Sequence, residues 1–279
     1  MIWRCRDRVF DFAHGPLVMG IVNLTPDSFS DGGRYLDPAS AVARIRELAA
    51  LGADLIDLGA ESTRPGATPV ASDEQLRRLM PVLERVLADP ALCISVDTAS
   101  AAVAERALAA GAQVVNDVSG LGDPDMAGIV AKSGAGLVVM HMQGTPATMQ
   151  ARPSYDDVVL EVREHFVERC ARAHAAGIAQ ESIAIDPGIG FGKTTAHNFE
   201  LLARLDELGE FERPVLIGVS RKSFLGRALD LPADQRLDAS LAATAIAVFH
   251  GARIVRTHDI TPTIRAVRIA AATRAARRD

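Results

Sequence analysis

Each of eight short apolar runs in this chain ends on polar residues of types that bind ligands or catalyse reactions. These residues are Asn23, Asp57, Asp97, Asn116, His141, Asp186, Arg221, Lys222, Arg256 and His258. The aspartates could be metal ligands, bases or hydrogen-bond acceptors for an amidine-like heterocycle. Their spacing alone does not distinguish these three roles. The arginines and histidines suit an anion such as a phosphate. A single polar residue at a strand end is a helix cap or part of a turn about as often as it belongs to a functional site. Because all eight strands end in this way, the pattern favours one common functional site.

The segment DPGIGFGKTT (186–195) looks like a phosphate-binding loop because it follows an apolar run and contains Gly-Lys-Thr. That motif requires a glycine about five residues before the second glycine. Counting back from Gly192 reaches Pro187, which also lacks an N–H group, so we exclude a nucleotide-binding loop of this kind. We predict instead that the glycines let the backbone approach a flat ligand beside Asp186.

The runs that carry the polar residues have the length and β-branched content of parallel strands covered on both faces. They are LVMGIVN (17–23), DLIDLG (54–59), LCISVDT (92–98), QVVNDVS (113–119), GLVVMHM (136–142), SIAIDPG (182–188), PVLIGVS (214–220) and RIVRTHD (253–259). Helical patterns are predicted at 38–52, 72–88, 99–110, 123–133, 155–176, 196–209, 235–250 and 261–277. Gly52 is predicted to follow a helix end, Ser72 to cap a helix, and Pro81 to kink it.

Strands and helices alternate through the chain, which predicts a (β/α)8 barrel (TIM barrel) forming a single domain over residues 1–279. A doubly wound open sheet is the alternative. In a barrel the carboxyl ends of all strands meet at one mouth, where active sites lie. The polar, glycine-containing loops at 24–37 and 61–70 are long for barrel connections and predict a mobile cover over that mouth.

Composition narrows the classes of protein and partner. A formal net charge of -5 over 279 residues argues against nucleic acid as the main partner. Three well-separated cysteines without CxxC spacing predict reduced thiols rather than a disulfide framework or a zinc site. The basic start lacks a long apolar segment, and no apolar run approaches the length of a membrane-spanning helix. We therefore expect a cytoplasmic protein without a membrane partner.

Eight sequence blocks are similar, in order, to the signature blocks of the bacterial dihydropteroate synthase family. They are MGIVNLTPDSFSDGG, GADLIDLGAESTRPGA, ISVDT, VNDVSG, MHMQGTPATMQ, DPGIGFGKT, GVSRKSF and RTHD. The resemblance covers nearly the whole chain. It implies a (β/α)8 barrel, usually a homodimer, that joins 4-aminobenzoate to 7,8-dihydropterin-6-ylmethyl diphosphate. The products are 7,8-dihydropteroate and pyrophosphate, in a step of folate synthesis that sulfonamides inhibit.

The resemblance also implies roles for the matched residues. The implied catalytic residues are Asp97, Asp186, Lys222, Arg256 and His258. The implied pterin-binding residues are Asp97, Asn116, Met140, Asp186 and Lys222. The implied pyrophosphate-binding residues are Asn23, Arg64, Arg256 and His258, with Asn23 also a magnesium ligand and Asp57 orienting its neighbours. The implied walls of the 4-aminobenzoate pocket are Phe29, Thr63, Arg64, Pro65, Phe191 and Ser223.

The implied chemistry is substitution at a CH2 group, with pyrophosphate leaving before the aniline nitrogen attacks the pterin cation. Such a site needs leaving-group stabilisation and exclusion of water rather than a covalent nucleophile. Two alternatives are a pterin-binding methyltransferase that uses methyltetrahydrofolate with a corrinoid partner, and a silent pterin-binding paralogue. Neither needs the set Asn23, Arg256 and His258, so the intact set argues against both.

Overall fold

An antiparallel hairpin, β1 (Ile2–Cys5) and β2 (Arg8–Asp11), precedes the barrel and leads into a short 3-10 turn at Phe12–His14. The structure is a computed structural model and describes residues 1–25, 37–64 and 66–277. The sequence did not predict this hairpin, because its strands are only four residues long. Trp3 and Cys5 alternate with exposed residues and are fully buried.

Eight parallel strands form the barrel, and the (β/α)8 prediction is confirmed. They are β3 (Leu17–Asn23), β4 (Leu55–Gly59), β5 (Ile94–Asp97), β6 (Val114–Asp117), β7 (Gly136–Met140), β8 (Ile183–Asp186), β9 (Leu216–Ile217) and β10 (Ile254–Thr257). Neighbouring strands pair in the order β8-β7-β6-β5-β4-β3-β10-β9. A single parallel bridge between Ile185 and Val215 joins the two ends of this order, so the sheet is closed rather than open.

Helices surround the barrel and match the predicted helical segments in order. They are α1 (Pro38–Ala50), α2 (Ser72–Val86), α3 (Ala101–Ala110), α4 (Met126–Ser133), α5 (Val158–Ala175), α6 (Thr195–Ala203), α7 (Ser223–Leu229), α8 (Leu237–Phe249) and α9 (Ile260–Ala275). The short helix α7 was not predicted, and the sixth predicted segment ends in a 3-10 helix at Leu205–Phe211 instead. No helix in the described ranges is both long and apolar enough to cross a membrane.

The predicted helix ends are partly right. Gly52 follows the end of α1 with a φ of 99°, as expected for a glycine after a helix. Ser72 does not cap α2, because the helix begins at Ser72 itself and its hydroxyl lies 2.9 Å from the Ser100 hydroxyl. Helix α2 continues through Pro81 to its end at Val86.

The barrel interior has an apolar layer toward the amino ends of the strands, called here the lower layer. Its residues are Met19, Leu55, Cys93, Val114, Val138, Ala184, Leu216 and Ile254. The hairpin closes this end of the barrel, since Trp3, Cys5 and Phe12 belong to the same buried cluster. The Trp3 indole N–H donates a hydrogen bond to Ser182 O at 3.1 Å.

Side chains of a strand alternate in direction, so the residues two positions further along each strand also point into the barrel. These residues form the upper layer: Ile21, Asp57, Ser95, Asn116, Met140, Asp186, Gly218 and Arg256. Four positions beyond the lower layer lies the rim, which includes Asn23, Asp97 and His258. The change from apolar to polar therefore occurs inside one barrel, between two successive layers, and it creates the site at the mouth.

Candidate active site

Arg256 joins Asp57 of the upper layer and Asp97 of the rim into one network. Its Nε donates to Asp57 Oδ2 at 2.6 Å, and its Nη2 donates to Asp97 Oδ2 at 2.9 Å. Asp57 is fully buried and also accepts bonds from Asn116 Nδ2 at 3.0 Å and from the Ser95 hydroxyl at 2.6 Å. Asp57 therefore has the contacts expected of a residue that orients its neighbours. Ser95 was missed in the sequence, although it lies on the inward face between Cys93 and Asp97.

Asn116 has one half of its amide unused. Its Nδ2 is bonded to Asp57, whereas its Oδ1 is buried and has no hydrogen-bond partner in the described part of the chain. The other buried side-chain atoms without a partner there are three guanidinium nitrogens, so Asn116 Oδ1 is the unpaired acceptor among them. An unpaired buried acceptor costs free energy, and a ligand N–H group would satisfy it.

Asp186 and Lys222 lie on the opposite side of the mouth. Asp186 Oδ1 accepts a bond from Gly188 N at 2.7 Å, and Lys222 Nζ donates to Ile189 O and lies 4.5 Å from the centre of the Phe191 ring. Burial lowers the pKa of Lys222 to about 8, with nearby Asp186 opposing the shift. Burial raises the pKa of Asp186, and Lys222 is the largest influence against that shift. The two charges stabilise each other in a poorly hydrated place.

Asp97 at the rim is also shifted. Burial raises its pKa to about 7, Arg256 opposes this, and Asp57 adds to it. The mouth thus holds carboxylates and cations whose charges depend on one another.

His258 lies beside Ser220 at the ends of the last two strands. The Ser220 hydroxyl is 3.0 Å from His258 Nδ1 and accepts a bond from His258 N at 3.3 Å. Burial, followed by the charge of Arg256, lowers the pKa of His258 to about 4, so the ring is neutral at pH 7. The charge of Arg64 contributes to this shift, which places the segment after β4 within electrostatic reach of His258.

Two residues that the sequence grouped with the mouth point elsewhere. Arg221 is bound to Asp259, with Nη2 to Oδ1 at 2.6 Å and Nε to Oδ2 at 3.0 Å, so it is not free for an anion. His141 follows the inward residue Met140 and is therefore on the opposite face of the chain. Its Nδ1 lies 2.8 Å from Lys193 Nζ, away from the mouth.

The proposed metal site depends on Asn23. In the described ranges 1–25, 37–64 and 66–277, no group of three or more His, Cys, Asp or Glu side chains is arranged to hold a metal ion. Asn23 Oδ1 and Asp97 Oδ2 lie on either side of Gly59, 3.5 Å and 3.8 Å from the position that a Cβ there would take. Magnesium often takes one or two protein oxygens and completes its shell with phosphate and water, so this arrangement fits it.

The residues predicted to wall the 4-aminobenzoate pocket lie in segments that follow the strands. Thr63 is half-buried and Arg64 is exposed in the segment after β4, where Glu61 Oε1 accepts a bond from Val70 N at 2.7 Å. Phe191 is half-buried, and Ser223 is exposed at the first position of α7. Phe29 and Pro65 lie outside the described residues, as does most of the predicted cover at 24–37, so those assignments stay predictions.

The glycines after β8 make close contacts with the neighbouring backbone. A Cβ at Gly188, which has a φ of 66°, would collide with His141 O, and one at Gly192 would lie 2.6 Å from Gln143 O. These two glycines let the loop pack against the backbone that follows β7, and the predicted approach to a flat ligand stays a prediction. Lys193 is fully buried beneath the same loop, so it has no access to the mouth as a P-loop lysine would need. Sequence reasoning gave Lys193 no other role.

Comparison with known proteins identifies close relatives of this chain. A family model for pterin binding enzymes matches residues 19–258. The dihydropteroate synthase of Escherichia coli strain K12 is 45% identical over 267 residues, which cover 96% of this chain and 94% of that protein. The Haemophilus influenzae dihydropteroate synthase is 42% identical over 248 residues, which cover 89% of this chain and 90% of that protein.

Solved structures agree with these relatives. Yersinia pestis dihydropteroate synthase with a sulfonamide drug has a TM-score of 0.94 and 44% identity, covering 99% of this chain and 100% of that one. Xanthomonas albilineans dihydropteroate synthase with 4-aminobenzoic acid has a TM-score of 0.91 and 45% identity, covering 99% of each chain.

Proposed function

This chain belongs to the dihydropteroate synthase family, and we infer that its barrel mouth condenses 4-aminobenzoate with 7,8-dihydropterin-6-ylmethyl diphosphate. The enzyme is a transferase whose products are 7,8-dihydropteroate and pyrophosphate. The observation that carries this proposal is the unpaired Asn116 Oδ1, placed in a buried network with Asp57 and Arg256. The edge of a pterin ring presents N–H donors that match such an acceptor.

The pterin is held by the side chains of the upper layer and the rim. Asp186 accepts hydrogen bonds from a ring N–H and the exocyclic amine, a planar pair of donors like that of a guanidinium. Lys222 donates to the carbonyl side of the ring, and Asn116 Oδ1 accepts a further bond. Met140 is 2% exposed and supplies apolar surface between them. Asp97 holds Arg256 in place at 2.9 Å.

The leaving pyrophosphate is bound by Arg256, His258, Asn23 and Arg64. Arg256 uses Nε and Nη2 for Asp57 and Asp97, and a guanidinium has five N–H donors, so others remain for phosphate oxygens. Asn23 supplies a protein oxygen for Mg2+, which when bound neutralises charge on the leaving group. Departure of pyrophosphate leaves a cation at the pterin CH2 carbon, and the aniline nitrogen of 4-aminobenzoate attacks it. No covalent nucleophile is required, because stabilisation of the leaving group supplies the catalysis.

The 4-aminobenzoate pocket is formed by Phe191, Thr63, Arg64 and Ser223, together with Phe29 and Pro65. Sulfonamides compete for this pocket. The Xanthomonas albilineans relative solved with 4-aminobenzoic acid, and the Yersinia pestis relative solved with a sulfonamide drug, support this assignment.

The deciding experiment measures pyrophosphate release from the pterin diphosphate with and without 4-aminobenzoate and Mg2+. We expect release that requires both. Methyl transfer to a corrinoid protein would favour the methyltransferase alternative, and pterin binding without turnover would favour a silent paralogue. The similarity to dihydropteroate synthases over 96% of the chain supports the synthase.

We further propose that residues 1–279 act as one domain, in the cytoplasm, as a homodimer. All three cysteines are free and buried, which supports a reducing compartment. The α8–α9 face carries a groove of about 280 Å³, lined by seven residues of which most are apolar. On this face Ile246 is 49% exposed and Ile269 is 72% exposed. Exposed apolar patches of this kind support an interface.

Light scattering tests the dimer. Ile269→Glu is expected to give a monomer, and Leu160→Glu on α5, an exposed apolar position away from this groove, is its matched control. A monomeric parent protein would contradict the homodimer proposal.

A further inference from the structure

Lysine is rare in this protein. The chain contains 27 arginines but only three lysines, Lys132, Lys193 and Lys222. Lys132 is exposed on α4, whereas the other two contact the segment after β8, residues 187–192, called here the β8 loop. Arginine is bulkier and cannot lose its proton in a protein, so the lysines at these two positions point to a need for a compact cation.

The β8 loop has an unusual set of backbone contacts. Four successive carbonyl groups each accept a hydrogen bond from a side chain, as follows: Ile189 O from Lys222 Nζ, Gly190 O from Gln150 Nε2 at 2.8 Å, Phe191 O from Lys193 Nζ at 3.0 Å, and Gly192 O from the Tyr155 hydroxyl at 2.8 Å. Loop carbonyls are usually left to water. Here protein side chains fix the loop from both sides.

Lys193 lies beneath the loop. It is fully buried, and its Nζ is 2.8 Å from His141 Nδ1 as well as 3.0 Å from Phe191 O. Burial lowers the pKa of His141 to about 2, so its Nδ1 is a neutral acceptor for the lysine N–H. The other titratable groups around Lys193 are His165, Tyr155, Asp186 and Lys222. Burial lowers the pKa of Lys193 to about 7, with Asp186 opposing the shift.

We propose that Lys193 is a positioning residue for the transfer reaction: it ties Phe191 O to His141 and so holds Ile189 O and the Phe191 ring against Lys222. This inference rests on the proposed function of Lys222 and Phe191 at the mouth. Lys193 does not itself reach the substrates. It acts through a rigid loop whose upper side supplies both the acceptor for Lys222 Nζ and the ring beneath it.

Competitive labelling with trace acetic anhydride, followed by mass spectrometry, tests this without requiring turnover. The three lysines give three separate signals, and exposed Lys132 is the internal standard. In the native protein we expect the labelling of Lys222 to titrate near a pKa of about 8, because burial lowers its pKa. In Lys193→Met, which keeps the length and apolar stem of the side chain, we expect this midpoint to rise toward the ordinary lysine value of 10.5. The reason is that a loosened loop lets water reach Lys222 Nζ, which relieves the desolvation that lowers its pKa.

Two further variants separate positioning from packing and from charge. Lys193→Gln keeps an N–H donor without the charge, and we expect it to restore part of the Lys222 midpoint. Lys132→Met is the matched control and should leave that midpoint unchanged. In steady-state kinetics Lys193→Met should raise the KM for 4-aminobenzoate roughly tenfold, the effect of losing one charged hydrogen bond, and the KM for the pterin diphosphate less.

An unchanged Lys222 midpoint in Lys193→Met, with circular dichroism showing a folded protein, would overturn the proposal. A Lys193→Gln midpoint equal to that of Lys193→Met would also overturn it, since the lysine would then act through charge alone. If Lys193→Met does not fold, Lys193→Gln is compared with the native protein instead. A Lys222 midpoint near the native value in Lys193→Gln would support positioning through the N–H donor. A midpoint near 10.5 would contradict it. Failure of the pyrophosphate assay would sink the proposed function but would leave the labelling result intact.

Discussion

The lower and upper layers of the barrel interior are built on the same strands, two residues apart, yet they differ in almost every physical property. The lower layer is apolar, closed by Trp3 and fully packed. The upper layer holds Asp57, Asn116, Asp186 and Arg256; the pKa values of Asp186 and Arg256 are raised, and Asn116 has an unpaired acceptor. Burial of charged and unpaired polar groups costs stability, so the upper layer is retained for its ligands and the lower layer stabilises both.

The largest effect that tests this division is loss of the closing residue of the lower layer. Trp3→Ala removes a fully buried indole and should lower the free energy of unfolding by about 3–5 kcal/mol. The kcat/KM of the folded enzyme should stay near the native value, because no substrate contact changes. Urea unfolding and initial rates measure the two quantities. Val9→Ala, at a half-exposed hairpin position, is the control. If kcat/KM fell together with the free energy of unfolding, the division between a stabilising lower layer and a ligand-binding upper layer would be contradicted.

The reverse effect is expected in the upper part of the barrel. Lys222→Ala should lower kcat/KM about ten- to a hundredfold, which corresponds to ~1.5–3 kcal/mol for a charge-assisted hydrogen bond. Stability should be unchanged or slightly higher, because the buried ammonium already pays a desolvation cost. Steady-state kinetics and thermal unfolding check this, with Lys132→Ala as control. Native kcat/KM in the variant would remove Lys222 from the catalytic set.

Asp186→Asn sharpens the comparison by separating the two ligands. The amide keeps the shape of the carboxylate but turns one acceptor into a donor that faces ring N–H groups. Binding of a pterin analogue should weaken about tenfold, the effect of roughly 1.4 kcal/mol, while binding of pyrophosphate changes less. Calorimetry with each ligand alone measures both. Equal losses for the two ligands would contradict the assignment of Asp186 to the pterin.

The smallest net effect is expected in the pH dependence of stability, because two rim residues act in opposite directions. The native state raises the pKa of Asp97 to about 7, so this group stabilises the fold at low pH and loses that contribution as pH rises to 7. The native state lowers the pKa of His258 to about 4, so the protein loses the stability that this group contributes as pH falls from 6.5 to 4.

Denaturation at several pH values between 4 and 7 separates these contributions. Relative to the native protein, Asp97→Asn should show stability that rises more steeply with pH, and His258→Gln should show stability that rises less or falls. If the free energy of unfolding changes with pH equally in both variants and in the native protein, the proposed titrations of Asp97 and His258 are contradicted.

The sequence predicted the barrel because each strand is a short β-branched run and each helix follows it. It overestimated strand lengths where the chain turns early. The run 214–220 was predicted as one strand, but β9 comprises only Leu216 and Ile217, preceded by the single bridge at Val215. The hairpin and α7 were missed because four- and seven-residue elements lack a clear period.

The site was predicted as far as strand direction could be inferred. Asp57, Asn116, Asp186 and Arg256 lie on the inward face as expected, and Arg256 and Asn116 both bond to Asp57. His141 is one position out of that register and Arg221 is bound to Asp259, so both were grouped wrongly. Lys193 could not be found this way, because its role depends on a loop conformation rather than on a periodic pattern.

The bond between Trp3 and Ser182 spans 179 residues, and this separation has a consequence for synthesis. The hairpin leaves the ribosome before the barrel strands, yet Ser182, just before β8, is made 179 residues later. At about 5–20 residues per second, Trp3 waits roughly ten to forty seconds for its partner. During that interval its indole is available to chaperones or to neighbouring nascent chains. Since Trp3 is the only tryptophan in the protein, its fluorescence would report the moment at which a newly made barrel closes.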